Sequence, residues 1–288
     1  MAERPDDEYP LRSARAALLE QIGRSIAGLR DTRRSDRTIH AIRKELKRAR
    51  ASLRLLRGCL GDSIYRRENA RLRDAARPLT PVRDAKILFE ALRNSDPHMG
   101  APNPSAFMRR FYRVLGEQRR GAKRQLRGAD LARAAGVLRA LERRIAALPE
   151  RRLARAPASR ALKRAYKAAR KAFADAERQP TDESLHEWRK QTKYLANELE
   201  VLLAFGPKRF AKSLERAQKL AEELGDDHDL ALLTEKALRH ATGSHAPSRD
   251  DTVQELLTHL KVRRTALQRR AFRLGRRLFA DKPRRYEL

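Results

Sequence analysis

One pattern of eight residues occurs twice in this chain: His40-Ala-Ile-Arg43-Lys44-Glu-Leu-Lys47 returns 146 residues later as His186-Glu-Trp-Arg189-Lys190-Gln-Thr-Lys193. The apolar positions return with it. Ile39, Ile42, Leu46, Ala49, Leu53 and Leu56 correspond to Leu185, Trp188, Thr192, Leu195, Leu199 and Leu202, with Thr192 the one polar exception. Steps of three and four residues put all six side chains on one face of an α-helix and on no face of a strand. A second block, Leu79-Thr-Pro-Val-Arg83-Asp84, matches Leu224-Gly-Asp-Asp-His228-Asp229 at an offset of 145, so one residue has been lost between the blocks. A long amphipathic helix repeated in tandem restricts the chain to an all-α fold made of two related helical bundles, with a repeat of about 146 residues.

Helical periodicity continues over about 11–31, 36–58, 62–79, 83–95, 104–127, 130–148, 157–178, 182–205, 207–225, 228–241 and 249–280, and no stretch alternates as a strand. Turn chemistry marks the breaks, at Asn94-Ser95-Asp96-Pro97, Gly100 to Pro104, Gln179 to Asp182, Gly206-Pro207 and Thr242-Gly243-Ser244. Thr181 or Asp182 is placed to cap the helix that carries the second motif. The predicted organisation is an N-terminal extension, 1–10, and one domain, 11–288, containing a first half at 11–128, a connecting helix at 130–150 and a second half at 157–280. A hydrophobic share of 41% supports a core, whereas 36% charged and 5% aromatic residues suit long helices with solvated faces. No apolar run approaches the roughly 20 residues of a membrane span, and the first residues lack a signal peptide's apolar segment. A soluble, cytoplasmic protein is therefore expected. The lone Cys59 excludes a disulfide framework and a thiolate metal site, and is read as a packing residue.

With 67 Lys and Arg against 37 Asp and Glu, the net charge of +30 repels itself in a compact chain unless a polyanion neutralises it. Composition does not choose the polyanion. Within 36–58, His40, Arg43, Lys47, Arg50 and Arg54 form a basic stripe one residue from the apolar one, about 100° around the helix. They can thus line a groove between helices, where low-dielectric walls strengthen contacts to phosphate. The second stripe reads His186, Arg189, Lys193, Ala196, Glu200 and ends in an acid. A single basic helix face is ordinarily just solvated; its repetition beside a repeated apolar stripe points to ligand donors. Catalytic chemistry is not visible: there is no phosphate loop, no His-Glu-x-x-His and no Ser-His-Asp arrangement. In the acidic run from Glu222 to Asp229 only Asp229 recurs, as Asp84, and a repeated Asp at a helix start reads as a cap paired with a cation. No cofactor, metal or catalysis is expected. Two other classes share the charge: a nucleic-acid-binding protein and a structural adaptor with a basic docking face. Against base stacking, Phe107, Phe111, Phe173 and Phe210 occupy core-like helical positions.

The chain also resembles a known family, the conserved histidine α-helical domain, or CHAD. The resemblance rests on the two histidine motifs, on Pro81-Val-Arg83-Asp84, on Leu162-Lys163-Arg164-Ala-Tyr166-Lys167-Ala-Ala-Arg170-Lys171, and on Leu224-Gly-Asp-Asp-His-Asp229, which together span nearly the whole chain. It implies two pseudo-symmetric bundles around a basic central cavity that binds inorganic polyphosphate, with nucleic acid only a weaker competitor and polyphosphate granules a further place of association. The binding set it implies is His40, Arg43, Lys44, Lys47 and Arg50 with His186, Arg189, Lys190 and Lys193; Lys163, Lys167 and Arg170, which share a helix face, extend the expected cavity wall. Ala196 and Asn197 stand where relatives commonly carry Arg and Tyr.

Overall fold

A computed structural model describes residues 9–31, 35–97, 99–100, 104–153, 158–204, 208–243 and 251–286. Its helices are α1 (Tyr9–Arg30), α2 (Asp36–Leu55), α3 (Arg57–Leu60), α4 (Asp62–Ala76), α5 (Thr80–Ser95), α6 (Ala106–Gln125), α7 (Gly128–Ala146), α8 (Glu150–Leu153), α9 (Ala158–Arg178), α10 (Asp182–Leu203), α11 (Ala211–Gly243) and α12 (Asp251–Phe279). The described residues contain no strand. The turn residues Pro102, Asn103, Gly206, Pro207 and Ser244 and the first eight residues lie outside the description.

Side chains set the helix starts. Ser35 Oγ accepts from Thr38 N at 3.0 Å to begin α2, and Thr181 and Ser184 form a reciprocal capping box that begins α10. The two motif helices are therefore each fixed at the end nearest their histidine. Both expected apolar stripes are buried throughout, from Ile39 to Leu56 and from Leu185 to Leu202. Thr192 is fully buried in its core position, and its hydroxyl has no partner among the described residues.

α2 packs against α1, α4 and α10, while α10 packs against α2, α9 and α11; α11 in turn holds α12 and α5, and α5 holds α6. The main core draws on both expected halves, with Leu18, Leu46 and Leu138 in the same cluster as Tyr166, Trp188 and Leu199. A smaller cluster also joins both, setting Leu92, Phe107 and Phe111 against Leu233, Leu256 and Leu260. Cys59 packs half-buried on the main core. Close approach of α12 to α10 depends on Gly275, where an added Cβ would lie 2.7 Å from Trp188 and 2.8 Å from Phe173.

Two expectations change. The expected segments 207–225 and 228–241 are not separate: α11 runs unbroken from Ala211 to Gly243, with Gly225 buried inside it. Consequently Asp229 is in the middle of α11 and Asp84 lies in the second turn of α5, so neither caps a helix. Each instead stands beside cations: Asp84 is 3.6 Å from Arg83, and Asp229 feels Arg189, Arg83 and Lys193.

Candidate functional site

The apolar stripes of α2 and α10 are taken up by the core, which leaves the residues one step around each helix facing the space between them. That space is a cavity of about 720 Å³. From α2 it receives His40, Arg43, Lys44, Lys47 and Arg50, and from α10 His186, Arg189, Lys190 and Lys193. All nine repeat residues expected at the site therefore meet in one place. Arg48, Tyr194, Ala196, Asn197 and Glu200 extend the same two walls, α5 adds Arg83, and α11 adds Glu222, Gly225, Asp226 and Asp229. A smaller pocket of about 250 Å³ continues between α2 and α5 past His40 and Arg83 to Lys86.

Lys163, Lys167 and Arg170 do not join them. On α9 the buried face is Leu162, Tyr166, Ala169 and Phe173, and those three cations flank it on the side away from Ala161, Ala165 and Ala168, which approach α10, with Arg164 at the exposed edge between the two flanks. Their i, i+4, i+7 spacing put them on one face, as expected, but that face is the outer one.

The described lining carries nine Lys and Arg side chains against four carboxylates, so the cavity has a positive excess that its own acids do not cancel. The acids are placed to one side. Glu200 pairs with Arg48, while Glu222, Asp226 and Asp229 stand on α11. At the centre the cations are crowded and desolvated. Burial, reinforced by Arg83, Arg43 and Arg189, holds the Lys47 ammonium down at about 8. Burial with Arg189, Lys47 and Arg83 holds Lys193 at about 7. Arg43 donates to Thr80 Oγ1 at 2.8 Å, yet its Nε is buried with no partner among the described residues, and Arg189 Nε is in the same condition. A buried donor without an acceptor costs about 1–3 kcal/mol, more when charged, so two such donors at matching positions are poised for an anion.

The histidines stand at the margin. Desolvation, followed by Arg83 and Lys47, lowers His40; desolvation, followed by Arg189 and Lys190, lowers His186. His186 Nδ1 lies 3.5 Å from His228 Nδ1, and burial with Arg189 beside it holds His228 at about 4. His228 therefore stays neutral and fixes the ring of its partner. Arg83 occupies the position corresponding to His228 and acts on His40. Arg83 and His228 hold corresponding positions of the second repeated block, each next to a repeated Asp, and that shared place is the sequence signal that could have found them. Tyr194 carries no such signal.

Another pocket, of about 410 Å³, sits between α5, α11 and α12, where Arg263 and Arg270 face Glu90, Asp226 and Asp229. Arg263 is held by Ser95 and Arg270 by Glu223, so this pocket has no positive excess to offer an anion.

The depressed lysines set a pH dependence for the empty protein. Lys47 and Lys193 titrate near their ordinary 10.5 when unfolded but at about 8 and about 7 when folded. Between those values the unfolded chain binds more protons, so stability rises with pH from about 7 to about 10. Urea midpoints should climb across that window in wild type and flatten in Lys47→Met with Lys193→Met; a flat wild-type profile would contradict the lowering of these two lysines by burial and by the cations crowded around them.

The CHAD domain family model matches residues 14–238. No curated protein matches the sequence. Among solved structures, the crystal structure of the CHAD domain from the plant Ricinus communis superposes with a TM-score of 0.68 at 18% identity, covering 98% of this chain and 96% of that one. PptA from Streptomyces chartreusis superposes with a TM-score of 0.60 at 16% identity, covering 94% of this chain and 97% of that one. At these identities the shared property is the all-α fold.

Proposed function

Because the chain belongs to the CHAD domain family, we propose that it binds inorganic polyphosphate in the cavity between α2 and α10, without catalysis. The observation that carries this reading is the pair of buried, unpartnered Nε donors on Arg43 and Arg189, set beside Lys47 and Lys193 in a cavity with a positive excess. Guanidinium forks match phosphate oxygens bidentately, and a phosphate chain supplies many acceptors in a small cross-section. From His40 to Arg50 the cations extend about 15 Å along α2, which suits a linear polymer better than a single phosphate group.

Nucleic acid fits less well. Apart from the imidazoles of His40 and His186, Tyr194 is the one aromatic ring among the described lining, and it lies under Arg54 and Arg50, with guanidinium carbons 4.3 and 5.9 Å from its centre. It offers no free platform on which bases could stack. Among the described residues no helix is long and apolar enough to cross a membrane. The reading places the protein wherever the polymer accumulates, granules included.

Competition tests it. Labelled long-chain polyphosphate bound to the protein should be displaced by unlabelled polyphosphate at least ~10-fold more effectively than by DNA at equal phosphate concentration and near-physiological salt, where non-specific binding to DNA is weak. Equal or better displacement by DNA would sink the proposal.

A further inference from the structure

Tyr194 stands between the cavity and a second group of cations. Tyr194 also lines a pocket of about 160 Å³ with Arg54, Arg57, Tyr65, Arg164 and Glu198. Arg54 Nε donates to Glu198 Oε1 at 2.6 Å, and Glu198 is 2% exposed, with Arg54 Nη2 and Glu198 Oε2 left unpartnered. Arg57 lies over the ring of Tyr65 at 5.0 Å and pairs with Asp62 at 2.7 Å. Asp62 also feels Arg66 and Arg164. Four arginines thus converge on one buried and one exposed acid. From this cluster the outer face of α9 leads away, exposing Arg160, Arg164, Lys167 and Lys171 with no acid between Ala158 and Ala174. Those four cations extend about 16 Å along the helix.

We infer that the arginine cluster around Arg54, Arg57 and Arg164, continued by the outer face of α9, is a second track that receives the part of a long phosphate chain the central cavity does not hold. The inference rests on the polyphosphate reading above and gives the chain a direction. A cavity of about 720 Å³ accommodates on the order of ten phosphate units if each takes at least two waters' share of volume, ~60 Å³, so a longer chain must leave it. Across α11 it would meet Glu222, Asp226 and Asp229. Past Tyr194 it meets Arg50, Arg54 and Arg164 in succession, and then α9. The continuation past His40 to Lys86 sets Asp36 and Glu90 against Arg83 and Lys86, so net positive charge favours the route past Tyr194, and a chain already held in the cavity reaches α9 at a high effective concentration.

The test compares polyphosphate of about ten units with polyphosphate of about a hundred units. Wild type should bind the long chain ~10-fold or more tightly than the short one, after correction for the number of units. Arg164→Gln with Lys167→Gln and Lys171→Gln should remove most of that gain and leave short-chain affinity within ~2-fold. The control removes equal charge from α7, which packs on α1 and α4, through Arg133→Gln, Arg139→Gln and Arg143→Gln; it should preserve the gain. Equal losses in both triple variants would reduce the track to diffuse attraction and overturn it. So would an unchanged gain in the α9 variant, or equal loss for both chain lengths. Failure of the polyphosphate reading would look different, since the short chain would then not bind wild type at all.

Discussion

Truncating Arg43 and Arg189 together to alanine is expected to weaken polyphosphate binding by ~10²-fold or more. Each side chain places a half-buried guanidinium in the cavity with its Nε buried and unpartnered, and losing a desolvated, charge-assisted contact costs about 1.5–3 kcal/mol. Two such losses add to ~3–6 kcal/mol, and every 1.4 kcal/mol is tenfold. The comparison is Arg133→Ala with Arg139→Ala, two exposed positions on α7, which removes the same charge and should change affinity only a few-fold through the general field. Arg43→Lys with Arg189→Lys separates charge from geometry: it keeps the positive excess, gives up the fork, and should fall between wild type and the alanine pair. Arg43 also holds Thr80, so urea midpoints of each variant will show whether a loss of affinity follows from a loss of fold. Equal weakening in the α2/α10 and α7 pairs would mean that binding is diffuse and the cavity is not its seat.

The parts of this architecture that were legible from sequence were those written twice. The 3, 4, 3, 4 stripe from Ile39 to Leu56 and its copy from Leu185 to Leu202 identified two core-facing helices, and the cations one residue away had to stand beside that core. Even Thr192 followed the pattern, since its neighbours in the stripe determine which way α10 turns. What failed to show in the sequence was whatever depends on the neighbour. Lys163, Lys167 and Arg170 share a face by spacing, but spacing does not say which flank of α9 meets α10. The expected segments part at Gly225, a residue type that costs about 1 kcal/mol within a helix; there the chain is buried, with Lys193 Nζ of α10 3.8 Å from where a Cβ would be, and α11 is unbroken. That continuity carries Asp229 to the cavity wall instead of to a cap. The Arg54–Glu198 pair, which lines the small pocket beside Tyr194, joins residues 144 positions apart and has no periodic signature.

The second large effect is proton uptake on binding. In the empty cavity Lys47 titrates at about 8 and Lys193 at about 7, and both are held down by desolvation and by the cations around them. A phosphate chain among these groups reverses both causes, because it supplies opposite charge and acceptors for the ammonium donors. The complex therefore holds the charged lysines better than the free protein does. Linkage then requires affinity to strengthen as pH falls from about 9 through 7 and to weaken as it rises. His40 and His186, lowered from 6.5 in the empty protein, add their share mainly at lower pH.

The most direct measurement is titration calorimetry at pH 8 with long-chain polyphosphate, in buffers of different ionisation enthalpy, so that the protons taken up per bound chain are read from the slope. With both lysines lowered, Lys47 to about 8 and Lys193 to about 7, wild type should take up protons on binding. Lys47→Met with Lys193→Met should lose most of this uptake, while His40→Gln with His186→Gln should retain the larger part of it. No uptake by wild type, or the same uptake after both lysines are replaced, would mean that the polymer does not enter the cavity between α2 and α10.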